Sequence, residues 1–140
     1  MPRTLNVAVE TFPIAGTFTI ARGSKTEAVV VTVAISEAGC AGRGECVPYA
    51  RYGENPGSVT AAIEAARGRI EAGCDRQELQ ALMPAGAARN AVDCALWDLD
   101  AKRLGIHLVQ QEVDVALIPG LSIAENIMLD QLAQPGHRFS

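Results

Sequence analysis

Aromatic residues make up only 4% of these 140 residues, and histidine occurs twice, as His107 and His137. So few rings offer no platform on which nucleic-acid bases could stack. A catalytic triad or metal site built on histidine has no partners in view, and both histidines read as exposed surface residues. A basic face is lacking as well. Twelve Lys and Arg stand against 16 Asp and Glu, a net charge of −4, which is the wrong sign for a phosphate backbone. No apolar run approaches the roughly 20 residues that cross a bilayer. Met1-Pro2-Arg3-Thr4-Leu5-Asn6 leads straight into alternating sequence, without the pattern of a secretion signal. These absences predict a cytoplasmic chain with neither nucleic acid nor membrane as a partner.

The common catalytic signatures are missing too. There is no GxxxxGK[ST] phosphate loop, no GxSxG elbow and no HExxH. Gly39-Cys40-Ala41-Gly42-Arg43-Gly44 is glycine-rich but opens no helix, so it is not a dinucleotide fingerprint. Cys40, Cys46, Cys74 and Cys94 fit no CxxC spacing and are expected as free thiols that fill core positions.

What is present is enough for one packed domain with an appendage: 49% of the residues are hydrophobic. Alternation predicts strands over 5–10, 17–20, 28–35 and 41–47, with Pro13 ending the first. The stretch 28–35 is the strongest, being rich in Val, Thr and Ile. Short turns between them imply an antiparallel meander of three or four strands. The period then changes. Ser58 can cap a helix to about residue 72, with Ile63, Ala66 and Ile70 on one face and Gly73 as its stop. Asp75-Arg76-Gln77-Glu78 is a capping box for a short helix that ends at Pro84. A longer helix over 85–104 carries the stripe Ala88, Val92, Ala95, Leu96 and Leu99, with Trp97 beside it and Gly105 as its C′ residue. Strands first and helices after them make an α+β layer arrangement.

Two polar loops stand out as candidate binding surfaces. One is Ala21-Arg22-Gly23-Ser24-Lys25-Thr26; the other is Pro48-Tyr49-Ala50-Arg51-Tyr52-Gly53-Glu54-Asn55-Pro56. Arg22 presents a planar fork of donors that suits a carboxylate. On composition alone, an ordinary surface arginine on a solvated loop explains the same residues.

Longer motifs add to this. Thr19-Ile20-Ala21-Arg22-Gly23-Ser24-Lys25-Thr26-Glu27-Ala28, then Gly42-Arg43-Gly44-Glu45-Cys46-Val47-Pro48-Tyr49-Ala50-Arg51-Tyr52-Gly53-Glu54, then residues 82–99 around Arg89-Asn90-Ala91-Val92-Asp93-Cys94-Ala95-Leu96-Trp97-Asp98 occur in one order and spacing. Together they resemble the enolase superfamily and, within it, the dipeptide epimerases of the L-Ala-D/L-Glu type. The resemblance covers residues 1–104. It implies a capping domain, an antiparallel sheet followed by a helical bundle, that sits over the mouth of a (β/α) barrel. It implies that the two loops form a lid in which Arg22 meets a substrate carboxylate while Ser24, Tyr49 and Tyr52 line the pocket. The helix carrying Asp93, Trp97 and Asp98 would pack toward the barrel.

The family's chemistry is proton abstraction α to a carboxylate, with a lysine on each face and Mg²⁺ on the enediolate. Those groups belong to the barrel. No barrel strand can be identified here, and the lysines, Lys25 and Lys102, lie in the wrong region. The expectation is a chain cut off before its catalytic part, with no catalytic or metal-binding residue, no cofactor of its own and a dipeptide as partner only when a barrel is supplied. The alternative is a non-catalytic module that self-associates through its barrel-facing surface as a homo-oligomer. Residues 105–140 have another character. Gly105 to Glu112, and Leu117 to Ile127 with the capping box Ser122-Ile123-Ala124-Glu125, resemble the Q-loop region of sugar-type ABC transporter ATPases, where a residue matching Gln111 meets Mg²⁺. Without a phosphate loop that tail supports no ATP hydrolysis and forms no independent domain.

Overall fold

The computed structural model describes residues 2–20 and 23–105, apart from the side chains of Phe18 and Ile20. They belong to the first of two compact units, Met1–Ile106. The second, His107–Ser140, lies outside the described residues, and with it Gln111, the strand expected over 113–118 and the helix expected from Ser122.

Three antiparallel strands come first: β1 (Thr4–Ile20), β2 (Gly23–Glu37) and β3 (Cys40–Cys46), in the sheet order β1-β2-β3. Three helices follow: α1 (Pro56–Glu71), α2 (Arg76–Leu82) and α3 (Ala87–Leu104). The architecture is the α+β meander and helical bundle expected of residues 1–104, and the described residues contain no barrel strand.

The two short strands expected at 5–10 and 17–20 are one. Pro13 does not end β1, because β1 is an edge strand where a missing N–H removes no ladder bond. The disturbance is confined to a register shift between Pro13 and Phe18. Similarly, Ser24 to Thr26 lie in β2 rather than in a loop. β3 pairs only with the stretch of β2 from Val31 to Glu37, so the rest of the β1–β2 hairpin runs on beyond the three-stranded sheet as a ribbon.

Leu5, Val31, Val33 and Ile35 alternate onto one face of the sheet. The helices cover that face with Val59, Ile63 and Ile70, with Leu79, and with Val92, Leu96 and Leu99, none more than 6% exposed. Each such side chain contributes about 1.5–3 kcal/mol by leaving water. Trp97, beside the stripe, is half exposed and lies under the Arg76 guanidinium, 3.3 Å from its ring centroid. All four cysteines are free. Cys46 and Cys74 are core residues as expected and Cys40 is half-buried, but Cys94 is exposed, because it falls off the buried stripe of α3. Burial pushes the Cys46 thiol up to about 11.

The helix ends follow local chemistry. α1 begins before the expected Ser58. Asn55 is its cap, accepting from the Ser58 amide at 2.9 Å, and the Ser58 hydroxyl accepts from the Asn55 amide at 3.0 Å. Pro56 stands at the first position, where its missing N–H costs nothing. The expected box at α2 forms, with Asp75 accepting from Gln77 and Glu78 at 2.8 Å. Gly105 takes the left-handed conformation (φ 67°) that closes α3.

Each outer edge of the sheet is closed by an i,i+4 ion pair from a helix. On β1, the Leu5 amide donates to Glu71 at 3.0 Å and the Leu5 carbonyl accepts from Arg67 at 2.6 Å. On β3, the Arg43 amide donates to Asp98 at 2.7 Å and the Ala41 carbonyl accepts from Lys102 at 2.8 Å. Glu71 and Arg67 are paired with one another at 3.0 Å, and Asp98 and Lys102 at 2.7 Å. Each pair therefore supplies one acceptor and one donor, as a further strand would. Burial pushes the Asp98 carboxyl up, but the bonds from Lys102 and the Arg43 amide outweigh it and hold the group below the ordinary carboxylate range.

β3 and α3 touch through backbone. A Cβ on Gly42 would collide with the Ala95 carbonyl and the Leu99 amide, and would lie 2.7 Å from the Leu99 Cβ. A Cβ on Gly44 would collide with the Ala91 carbonyl and lie 2.7 Å from the Ala95 amide. Gly44 is matched to Ala91, Gly42 to Ala95 and Leu99, and Ala41 to Lys102, so α3 runs antiparallel to β3.

Gly42→Ala is expected to destabilise by about 3 kcal/mol or more, since neither backbone can yield. Gly68→Ala, on α1 with nothing within 4 Å of the added methyl, is expected to stabilise by about 0.5–1 kcal/mol. Urea unfolding of the two variants checks both signs. Glu37 supplies a pH test. It accepts from Arg3 at 3.2 Å and from Arg103 at 2.6 Å, and Arg3 also donates to the Cys74 carbonyl at 2.8 Å. The Arg3 hydrogen bond, against the opposing effect of burial, holds the Glu37 carboxyl below its ordinary 4.5. Its stabilisation is therefore complete above the unfolded value and is lost as pH falls through the lowered folded value. Glu37→Gln is expected to cost about 1–2 kcal/mol at pH 7, and the difference from the parent is expected to close as pH falls through and below 4.5. A gap of constant size down to acid denaturation contradicts this.

Candidate functional site

The tyrosine loop leaves β3 at Cys46 and folds into a 3-10 turn, Ala50–Tyr52. The Tyr49 carbonyl accepts from Tyr52 at 2.9 Å and from Glu54 at 3.2 Å. The two tyrosine rings meet edge to face, with centroids 6.5 Å apart and planes at 75°. They are 56% and 73% exposed. The loop singled out from sequence as a candidate binding surface is thus a hydrogen-bonded turn with two tyrosines on its surface.

Glu54 holds that turn. One carboxylate oxygen accepts from the Ala87 amide at the start of α3 at 2.8 Å, and the other from the Tyr49 amide at 3.3 Å. Reading from sequence gave Glu54 no role. Its partner at position 87 becomes its neighbour only because α3 runs back along β3, and no spacing in the chain encodes that.

Ser24 stands at the far end of the hairpin ribbon. Its hydroxyl is 3.0 Å from that of Thr19 across the strands. It is seven positions along β2 from Val31, which faces Cys46, or roughly 23 Å at about 3.3 Å per residue. The fold brings Tyr49 and Tyr52 together, while Ser24 bonds to Thr19 on the ribbon. Arg22, expected on the carboxylate, lies outside the described residues.

Of the residues named on α3, Asp98 is turned to the edge of β3 and Trp97 carries Arg76. Among the described residues no three His, Cys, Asp or Glu side chains converge on one point, so this part of the chain does not fit Mg²⁺. No helix among them is long and apolar enough to cross a membrane. A groove of about 590 Å³ lies along the sheet beside Asn6, Glu10, Thr32, Arg43 and Glu45, and Ser24, Tyr49 and Tyr52 do not line it.

Comparison with known proteins agrees with the fold. Residues 3–111 match the family described as mandelate racemase / muconate lactonizing enzyme, N-terminal domain. The L-Ala-D/L-Glu epimerase of Escherichia coli (strain K12) is 46% identical over 129 residues, which is 92% of this chain but 38% of that enzyme. An enolase family member from Agrobacterium tumefaciens, with homology to dipeptide epimerases and crystallised with sodium, L-Ala-L-Glu and an ordered loop, superposes with a TM-score of 0.71. It shares 59% identity across 74% of this chain and 32% of its own. The dipeptide epimerase of Methylococcus capsulatus, complexed with Mg and L-Arg-D-Lys, gives a TM-score of 0.64 at 34% identity over 75% of this chain and 33% of its own. The chain thus spans little more than a third of the E. coli enzyme's length. The homologues are dipeptide epimerases and racemases, and the three-stranded sheet with its helices is the fold of their capping domain. This chain belongs to the mandelate racemase / muconate lactonizing enzyme family, whose N-terminal domain it carries.

Proposed function

We propose that this domain is the substrate-selecting lid of a dipeptide epimerase and that the 140 residues turn over no dipeptide by themselves. The observation that carries the proposal is the tyrosine platform, two exposed rings on an ordered turn at the end of β3. The ordered loop of the Agrobacterium relative with its L-Ala-L-Glu supports it. Arg22, in the connection between β1 and β2, would supply a bidentate contact to the substrate's acidic side chain. Ser24 would add a hydroxyl, and Tyr49 and Tyr52 the pocket wall. Inverting the α-carbon takes a base that removes the proton on one face and an acid that returns one on the other. Lys102 is committed to Asp98 and the Ala41 carbonyl, and Lys25 sits on the exposed ribbon, so neither serves.

The chain incubated with L-Ala-L-Glu and Mg²⁺ in D₂O is expected to leave the glutamate α-proton unexchanged by NMR; exchange above background sinks the proposal. Placed on the barrel of the E. coli enzyme in exchange for that enzyme's own cap, the domain is expected to support epimerisation. In that hybrid Arg22→Ala is expected to lower kcat/KM about 10- to 100-fold, the loss of one charge-assisted pair.

A second reading, self-association, is favoured by exposed large apolar side chains: Tyr52 and Leu104 are 73% and 72% exposed, and Trp97 50%. Light scattering on the eluting chain decides it, a dimer or larger species being expected if the barrel-facing side pairs with itself. For residues 105–140 the transporter-ATPase resemblance around Gln111 and Ser122 stands beside an opposing observation. The match to the E. coli epimerase covers 129 residues and therefore runs past Leu104.

A further inference from the structure

We infer that Glu54 is the positioning residue of the lid, fixing where Tyr49 and Tyr52 stand and so which substrate side chains the lid admits. The inference rests on the assignment of those tyrosines to the substrate pocket.

The residue before α3 is Gly86, which has no side chain to cap the helix, so the Ala87 amide at its positive end needs an acceptor. Glu54 supplies one from 33 positions away, at 2.8 Å. Gly86 makes room for it: a Cβ there would lie 2.9 Å from the same carboxylate oxygen. The second oxygen takes the Tyr49 amide at 3.3 Å, while the Glu54 amide donates to the Tyr49 carbonyl at 3.2 Å. Both backbone polar groups of Tyr49 are thus held by one residue. The next residue, Asn55, caps α1 through the Ser58 amide at 2.9 Å. Neighbouring side chains therefore pin the end of the loop to two helix starts, α3 and α1. A carboxylate has two acceptor oxygens and both are used; an amide in its place has one.

The test is amide hydrogen exchange on the full chain, with no dipeptide present. Glu54→Ala is expected to speed exchange at Tyr49 and at Ala87 by tenfold or more and to abolish the near-UV dichroism of the tyrosine pair, while Ile63 and Leu79 in the core change by less than twofold. Glu54→Gln is expected to release one of the two amides and keep the other. Unchanged exchange at Tyr49 and Ala87 in Glu54→Gln overturns the inference. So does parallel acceleration of the core amides, which would make Glu54 a general stability residue. Should Glu54→Ala fail to fold, Glu54→Gln decides on the same criteria. Loss of the substrate role, read in the hybrid enzyme, leaves the exchange result intact, so the two claims fail separately.

Discussion

The contact of β3 with α3, backbone against backbone, is the constraint on which the rest of the domain depends. Gly42 and Gly44 remove the side chains that would hold the helix off, and the helix settles antiparallel to the strand. That direction brings the start of α3 to the end of β3 where the chain exits into the tyrosine loop. Glu54 can reach Ala87 for this reason alone. Packing and site geometry therefore share one cause: two missing methyl groups set the helix, and the helix holds the loop.

The closure of the sheet edges follows a related logic. A three-stranded sheet has two unpaired edges, each a row of donors and acceptors open to another chain. Here Arg67 with Glu71, and Asp98 with Lys102, present one cation and one anion to a single amide and carbonyl on each edge. As surface ion pairs these would contribute little. Their value lies in the backbone groups they satisfy, where a hydrogen bond to a charged partner is worth about 1.5–3 kcal/mol. Beyond the reach of the helices, the β1–β2 ribbon has no such cover among the described residues.

The proposed lid role separates recognition from reaction. The domain's exposed aromatic pair is ordered by hydrogen bonds, and its lysine nearest the helix layer is used up by structure. In a lid this division is economical: selectivity can vary in loops while the proton-transfer groups remain in a rigid barrel.

The period of the hydrophobic residues and the capping chemistry were enough, by themselves, to determine the meander, the three helices and the buried stripe of α3. These are local properties, decided within a turn or a strand, and the Asp75 box and Gly105 stop fell where the residues placed them. Long motifs were enough to reach the family. Misreadings came where local and tertiary rules part. Pro13 looks like a strand end until β1 is known to be an edge, and Ser58 looks like a cap until Asn55 and Pro56 are seen to start the helix earlier. Only the tertiary structure could decide that Asp98 serves β3, that Cys94 lies outside the core, and that Glu54 belongs with Ala87. Each depends on the angle at which a helix crosses a strand distant in sequence, and that angle is set by packing, which no local pattern of residues records.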